Sequence, residues 1–167
     1  NKLPKWVKKF NKSGKAAAYM SKPWNTLYDI KTYTESLADD NPFEGKFRGK
    51  EKPVFPYDVR TLKEKNGNFE MIKTIPAGNS FTTDVKAAIV GENLGKSEFT
   101  DFLAISFSST DYIGHQFGVA SKEIEDTYLR LDKDLASLFT YLDIEVGKDN
   151  YTLFLTITKN TCALYKF

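Results

Sequence analysis

Residues 101–118 read DFLAISFSSTDYIGHQFG, and the fold class turns on them. Residues 102–107 form a short, mostly apolar run without polar/apolar alternation, the pattern of a strand buried on both faces, as in a parallel sheet under helices. Ligands of open α/β sheets gather outside the carboxyl ends of the strands. At that position stand Asp111 and, four residues on, His115, the only histidine in the chain. The D-x-x-x-H spacing lets a hard carboxylate oxygen and a borderline imidazole nitrogen converge on one ion within a single turn or tight loop, a donor set that suits zinc. Two ligands do not hold a zinc, and a lone histidine beside apolar residues also serves as a hydrogen-bonded structural residue. Context favours the site: Gly114 and Gly118 allow close backbone approach, and Ser108, Ser109 and Thr110 follow a strand with no packing reason to be polar.

Working downstream, Ser121 is placed as an N-cap, with Glu123 and Glu125 in a first turn where negative charge complements the helix dipole. Ile124, Tyr128, Leu131, Leu135, Leu138, Phe139 and Leu142 keep helical spacing, Arg130, Asp132, Lys133 and Asp134 take mainly the other face, and Gly147 ends the helix. Residues 151–157 read as a second buried strand. Residues 101–157 thus make one βαβ unit, expected to be right-handed. The predicted class is α/β: part of a mixed, largely parallel sheet with flanking helices and an irregular insertion.

Upstream, residues 1–22 form a helical segment. Leu3, Trp6, Val7 and Phe10 mark a short amphipathic helix begun near Pro4, with Trp6 and Phe10 as core anchors, and residues 16–20 extend it past a break at Ser13 and Gly14. Residues 23–100 read as an insertion with one helix. Pro23, Pro42, Pro53 and Pro56 punctuate a polar, aromatic stretch expected to lie as an irregular layer over the sheet. Within it EGKFRGKEKP (44–53) is locally basic; it reads as a solvated loop, with Lys46, Arg48 and Lys50 available for an anion. Asn66-Gly67 signals a turn, and Asn79 or Ser80 can cap a helix bearing Phe81, Val85, Ala88 and Ile89, with Gly95 beyond its end.

The 167 residues are 41% hydrophobic and 14% aromatic, enough for one domain with a real core. Lys+Arg 24 against Asp+Glu 22 gives a net charge of +2, which argues for neither nucleic acid nor membrane as partner. Cys162 stands alone, so no internal disulfide forms. No apolar stretch approaches the roughly 18–20 residues that span a bilayer.

FSSTDYIGHQFG (107–118), EIEDTYLRLDKDLASLFTYLD (123–143) and YTLFLT (151–156) resemble the alkaline phosphatase superfamily, specifically the phosphate-irrepressible bacterial alkaline phosphatases beside the type I phosphodiesterase/nucleotide pyrophosphatase group. The resemblance runs from Leu3 to about Thr156. It implies a phosphate-ester small molecule as substrate, in-line displacement through a phosphothreonine, and two zinc ions, one of them held in part by Asp111 and His115. It also implies that the nucleophilic threonine lies upstream of this chain, leaving no catalytic nucleophile here.

Where the family continues with Ala-Asp-His-Gly, whose aspartate and histidine hold the second metal, this chain has Ile157, Thr158, Lys159 and Asn160. Neither Thr158 nor Lys159 can replace that pair, and residues 158–167 form a divergent tail of the kind a frameshift produces. The expectation is a piece of a phosphate-ester hydrolase, inactive alone, periplasmic by resemblance, with one chain of a split phosphatase or a non-catalytic anion- or sugar-binding module as alternatives. The chain opens at Asn1 without methionine or signal peptide. The uncovered edge of a half-sheet predicts self-association or a complementing fragment.

Overall fold

Helix starts and stops follow local chemistry in the N-terminal region. The computed structural model of the chain describes residues 2–156. Pro4, with φ −52°, leads into α1 (Lys5–Asn11), and Gly14, at φ +71°, turns the chain into α2 (Lys15–Tyr19). Trp6 and Phe10 are half-buried rather than core anchors. The Phe10 ring lies 5.4 Å from that of Phe81, and Trp6 covers Gly91, where a β-carbon would stand 2.3 Å from the indole.

Four more α-helices occupy the span where one was expected: α3 (Val59–Asn66), α4 (Asn68–Lys73), α5 (Ala77–Thr82) and α6 (Lys86–Gly91). The Asn66-Gly67 signal is the joint between α3 and α4, with Gly67 at φ +85°. The helix expected from Asn79 or Ser80 starts earlier, after Pro76, and continues through a 3₁₀ turn (Thr83–Val85) into α6. Asn79 caps nothing: it is buried inside α5 and donates from Nδ2 to Thr110 Oγ1 at 2.9 Å. A β-carbon on Gly78 would lie 2.1 Å from Ser109 Oγ, so α5 and α7 (Ser109–Phe117) approach closely. Ser109 and Thr110 therefore do have a packing reason to be small and polar.

The longest element, α8 (Lys122–Leu142), begins at Ser121, whose Oγ accepts from Ile124 N at 3.2 Å. A π-type turn (Asp143–Gly147) follows it, closing at Gly147 with φ +103°.

The α/β expectation is overturned. Among the described residues there is no strand and no sheet, parallel or mixed; the one ladder contact is an isolated antiparallel bridge between Trp24 and Tyr57. Residues 102–107 and 151–156, the described parts of the two expected strands, are irregular and make no backbone–backbone hydrogen bond among the described residues. Phe102 is 89% and Phe154 84% exposed. The physical reason is that an apolar run records a tendency toward burial, whereas a strand exists only where another backbone lies about 4.8 Å away to pair its N–H and C=O groups. No such backbone lies beside either segment among the described residues, so 101–157 is two extended stretches around α7 and α8, not a βαβ unit. Ile157 lies outside the described residues.

The segment expected to lie over a sheet supplies the core instead. Trp24 and Tyr57 exchange backbone bonds, each N–H reaching the other's carbonyl at 2.9 Å, and stack with ring centroids 5.0 Å apart. Phe117 meets both rings edge-on, at 6.0 and 5.7 Å, and Phe47 adds a fourth ring 5.6 Å from Phe117. Offset and edge-on contacts of this kind contribute about 0.5–1.5 kcal/mol each beyond area burial. Met20, Val59, Leu62, Met71, Ile75, Ile113 and Ile124 complete the cluster, which seats α7 and the first turns of α8 against the irregular segment.

Candidate metal centre

α7 is helical because one of its faces is fully used. Ser109, Thr110, Ile113, Gly114 and Phe117 are buried, at i, i+1, i+4, i+5 and i+8, and point into the core. The opposite face carries Asp111, Tyr112 and His115. The D-x-x-x-H spacing thus becomes an i, i+4 pair within a helix rather than a loop, with Asp111 Oδ1 3.5 Å from His115 Nε2. The two side chains are 47% and 55% exposed, so both are open to an ion from solvent. An oxygen and a nitrogen donor side by side match two of the four positions of a tetrahedral zinc. Among the described residues, no group of three or more His, Cys, Asp or Glu side chains is gathered for a metal. Thr158 and Lys159, the positions read as lost ligands of a second metal, lie outside the described residues.

The basic loop is fastened to this helix. Gly45 N donates to Gln116 O at 2.7 Å, next to His115, and a β-carbon on Gly45 would stand 2.5 Å from that same oxygen. Gly45→Ala is therefore expected to push the loop off α7 and cost about 1–3 kcal/mol, the usual range for overpacking. Thermal unfolding checks it; an unchanged melting temperature would show that the loop is not anchored there.

Sequence reasoning missed a second polar cluster, buried behind the loop. Glu123, read as a helix-dipole residue, does lie in the first turn of α8, yet it is fully buried. Tyr57 Oη donates to its Oε1 at 2.5 Å, while Oε2 and both carboxyl oxygens of Glu44 have no hydrogen-bond partner. Burial pushes the Glu123 carboxyl up to about 7 and, with the charges of Glu123, Asp39 and Asp40 added, the Glu44 carboxyl up to about 8. The same burial, with Glu123 beside it, raises Tyr57. Nothing in EGKFRGKEKP marks Glu44 as different from an exposed loop acid, because the groups beside it, Glu123 and Lys122 of α8 with Asp39, Asp40 and Tyr57, lie outside that stretch.

A family model described as type I phosphodiesterase/nucleotide pyrophosphatase matches residues 2–156. The chain belongs to that family. Among its relatives in this family, a protein of Myroides odoratus named calcium-transporting ATPase is 55% identical across 99% of this chain and 30% of its own length. Alkaline phosphatase PhoV of Synechococcus elongatus is 54% identical across 92% of this chain and 28% of its own. The crystal structure of alkaline phosphatase PafA superposes with a TM-score of 0.85 at 47% identity, covering 90% of this chain and 29% of that one. The chain thus corresponds to part of an alkaline phosphatase superfamily protein, spanning less than a third of the length of these relatives. Membership supports phosphate-ester hydrolysis as the family chemistry, and alkaline phosphatase relatives imply metal cofactors in general.

Proposed function

We propose that this chain is the portion of a zinc-dependent phosphate-ester hydrolase that carries one aspartate and one histidine ligand of a catalytic zinc, and that it does not turn over substrate alone. The observation that carries this reading is the Asp111–His115 pair, exposed on one face of α7 with donor atoms 3.5 Å apart. When bound, zinc would supply Lewis-acid stabilisation of the charge on phosphoryl oxygens. The helix fixes the two ligands relative to each other, and the buried ring of Phe117 with Ile113 holds that helix in place. With two donors among the described residues, zinc binding by this chain is weak.

The test is zinc titration of the 167-residue chain, followed by the His115 imidazole resonances. Zinc is expected to shift them saturably, and Asp111→Ala is expected to weaken binding about tenfold or more, equivalent to about 1.4 kcal/mol. An unchanged affinity in Asp111→Ala would defeat the assignment. Inactivity alone is checked by hydrolysis of a chromogenic phosphate ester with zinc present; turnover that Asp111→Ala removes would show a complete site and overturn that part.

A further inference from the structure

The three basic side chains of the loop on α7 are not equivalent. Lys46 Nζ is spent on Glu51 O at 3.0 Å, and Lys50 Nζ on Pro56 O at 2.9 Å. Arg48 is held differently. Its backbone is clamped on both sides by one amide: Arg48 N donates to Asn66 Oδ1 and Asn66 Nδ2 donates to Arg48 O, both at 3.0 Å. Its guanidinium makes no hydrogen bond among the described residues, leaving all five donors free. The backbone of Arg48 is fixed, and its guanidinium is left available for a planar, bidentate oxyanion contact.

Arg48 lines a cleft of about 200 Å³ together with Phe47, Asn66, Glu70, Thr74 and Gln116. Gln116 follows His115 on α7 and lines the same cleft. The acid in the cleft, Glu70, pairs with Lys73 at 2.8 Å. Lys73 in turn stands 4.6 Å from the Tyr112 ring, on the face of α7 that carries Asp111 and His115. Cleft and ligand face therefore adjoin through Tyr112 and Gln116.

We infer that Arg48 is an anion-recognition residue, contacting a phosphoryl oxygen or an anionic leaving group of the ester whose phosphorus is served by the Asp111–His115 face, and that Asn66 positions it. This rests on the function proposed above and assigns the substrate contact that reading leaves open.

The probe is inorganic phosphate, titrated into the full chain labelled on arginine and glutamine side chains. The Arg48 Nε–H and Gln116 side-chain amide resonances are expected to move together and saturably, while Arg60, which donates to Ser21 O on the surface, moves only with ionic strength. Arg48→Met is expected to weaken phosphate binding about tenfold and leave zinc binding at His115 unchanged. Asn66→Ala is expected to weaken it severalfold with Arg48 still present. Arg48 shifting no more than Arg60, or full affinity in Arg48→Met, would overturn the inference. Zinc binding that ignores Asp111→Ala would instead overturn the metal reading, so the two failures are distinguishable.

Discussion

Asp126→Ala is expected to destabilise the chain by about 3–5 kcal/mol, the cost of removing one partner from a buried charged network. Asp126 is fully buried and accepts four hydrogen bonds: from Trp24 Nε1 at 2.7 Å, Leu27 N at 2.6 Å, Tyr33 Oη at 2.5 Å and Arg130 Nε at 2.6 Å. Three of those donors come from the irregular segment, so one carboxylate ties residues 24–33 to α8. Alanine would leave an indole, a phenol and part of a guanidinium without their acceptor, and would leave Leu27 N only its bond to Tyr33 Oη at 2.9 Å. In a chain of this size the loss corresponds to a melting temperature lower by roughly 10 °C. Arg130→Met should also destabilise, because it leaves a fully buried carboxylate without its cation, but by less than Asp126→Ala because three donors to Asp126 remain. Asp126→Ala melting within a degree or two of the unmodified chain would refute the role given to this network.

Raising the pH from 5 to 8 is expected to destabilise the protein, with the buried carboxyls of Glu123 and Glu44 as the cause. Its carboxyl is pushed up to about 7, first by burial and then by the nearby charges of Asp39 and Asp126, against the lowering effect of the Tyr57 hydrogen bond. The folded state therefore holds a proton that the unfolded chain has released above its ordinary value of 4.5. Stability is fully present below about pH 4.5 and is lost progressively as pH rises through about 7. Glu44, pushed up to about 8, acts in the same direction and extends the loss to that pH. Lys122 opposes the shift of Glu44, and Lys50, itself lowered by burial, sits 4.7 Å from the Tyr57 ring.

A rise of this size on a fully buried carboxyl corresponds to about 3 kcal/mol, or a melting temperature lower by roughly 6–10 °C at pH 8. Glu123→Gln removes its own titration and the charge that helps to raise Glu44, and is expected to flatten part of the slope, the remainder belonging to Glu44. Equal melting temperatures at pH 5 and pH 8, or an equally steep profile in Glu123→Gln, would refute this.

Helix signals were legible in the sequence wherever the deciding chemistry is local. Ser121 caps α8 with its own hydroxyl, Gly14 and Gly147 adopt the positive φ that ends a helical run, and the i, i+4 spacing alone puts Asp111 and His115 on one face. The family was legible too, in residues 107–118, 123–143 and 151–156. What failed was inference about partners at long range. The run at 102–107 carries the composition of a buried strand, but pairing is a property of two backbones, and the text of one says nothing about whether the other is present. Asn79 looked like a cap because asparagine favours caps, and its burial against Thr110 depends on how closely α5 and α7 pack.

By itself the sequence determined the family, the starts of α1 and α8, and the placement of a carboxylate one helical turn before an imidazole, since each rests on residue identity over a few positions. Only the tertiary structure decided that the aromatic segment around Trp24 and Tyr57 is core, that Glu123 and Asp126 are buried acids in opposite states of satisfaction, and that the Arg48 side chain, unlike those of its lysine neighbours, has no partner among the described residues. Burial and hydrogen-bond partnership are set by residues up to about a hundred positions away, as Trp24 and Asp126 show with 102 between them, and no local pattern encodes them.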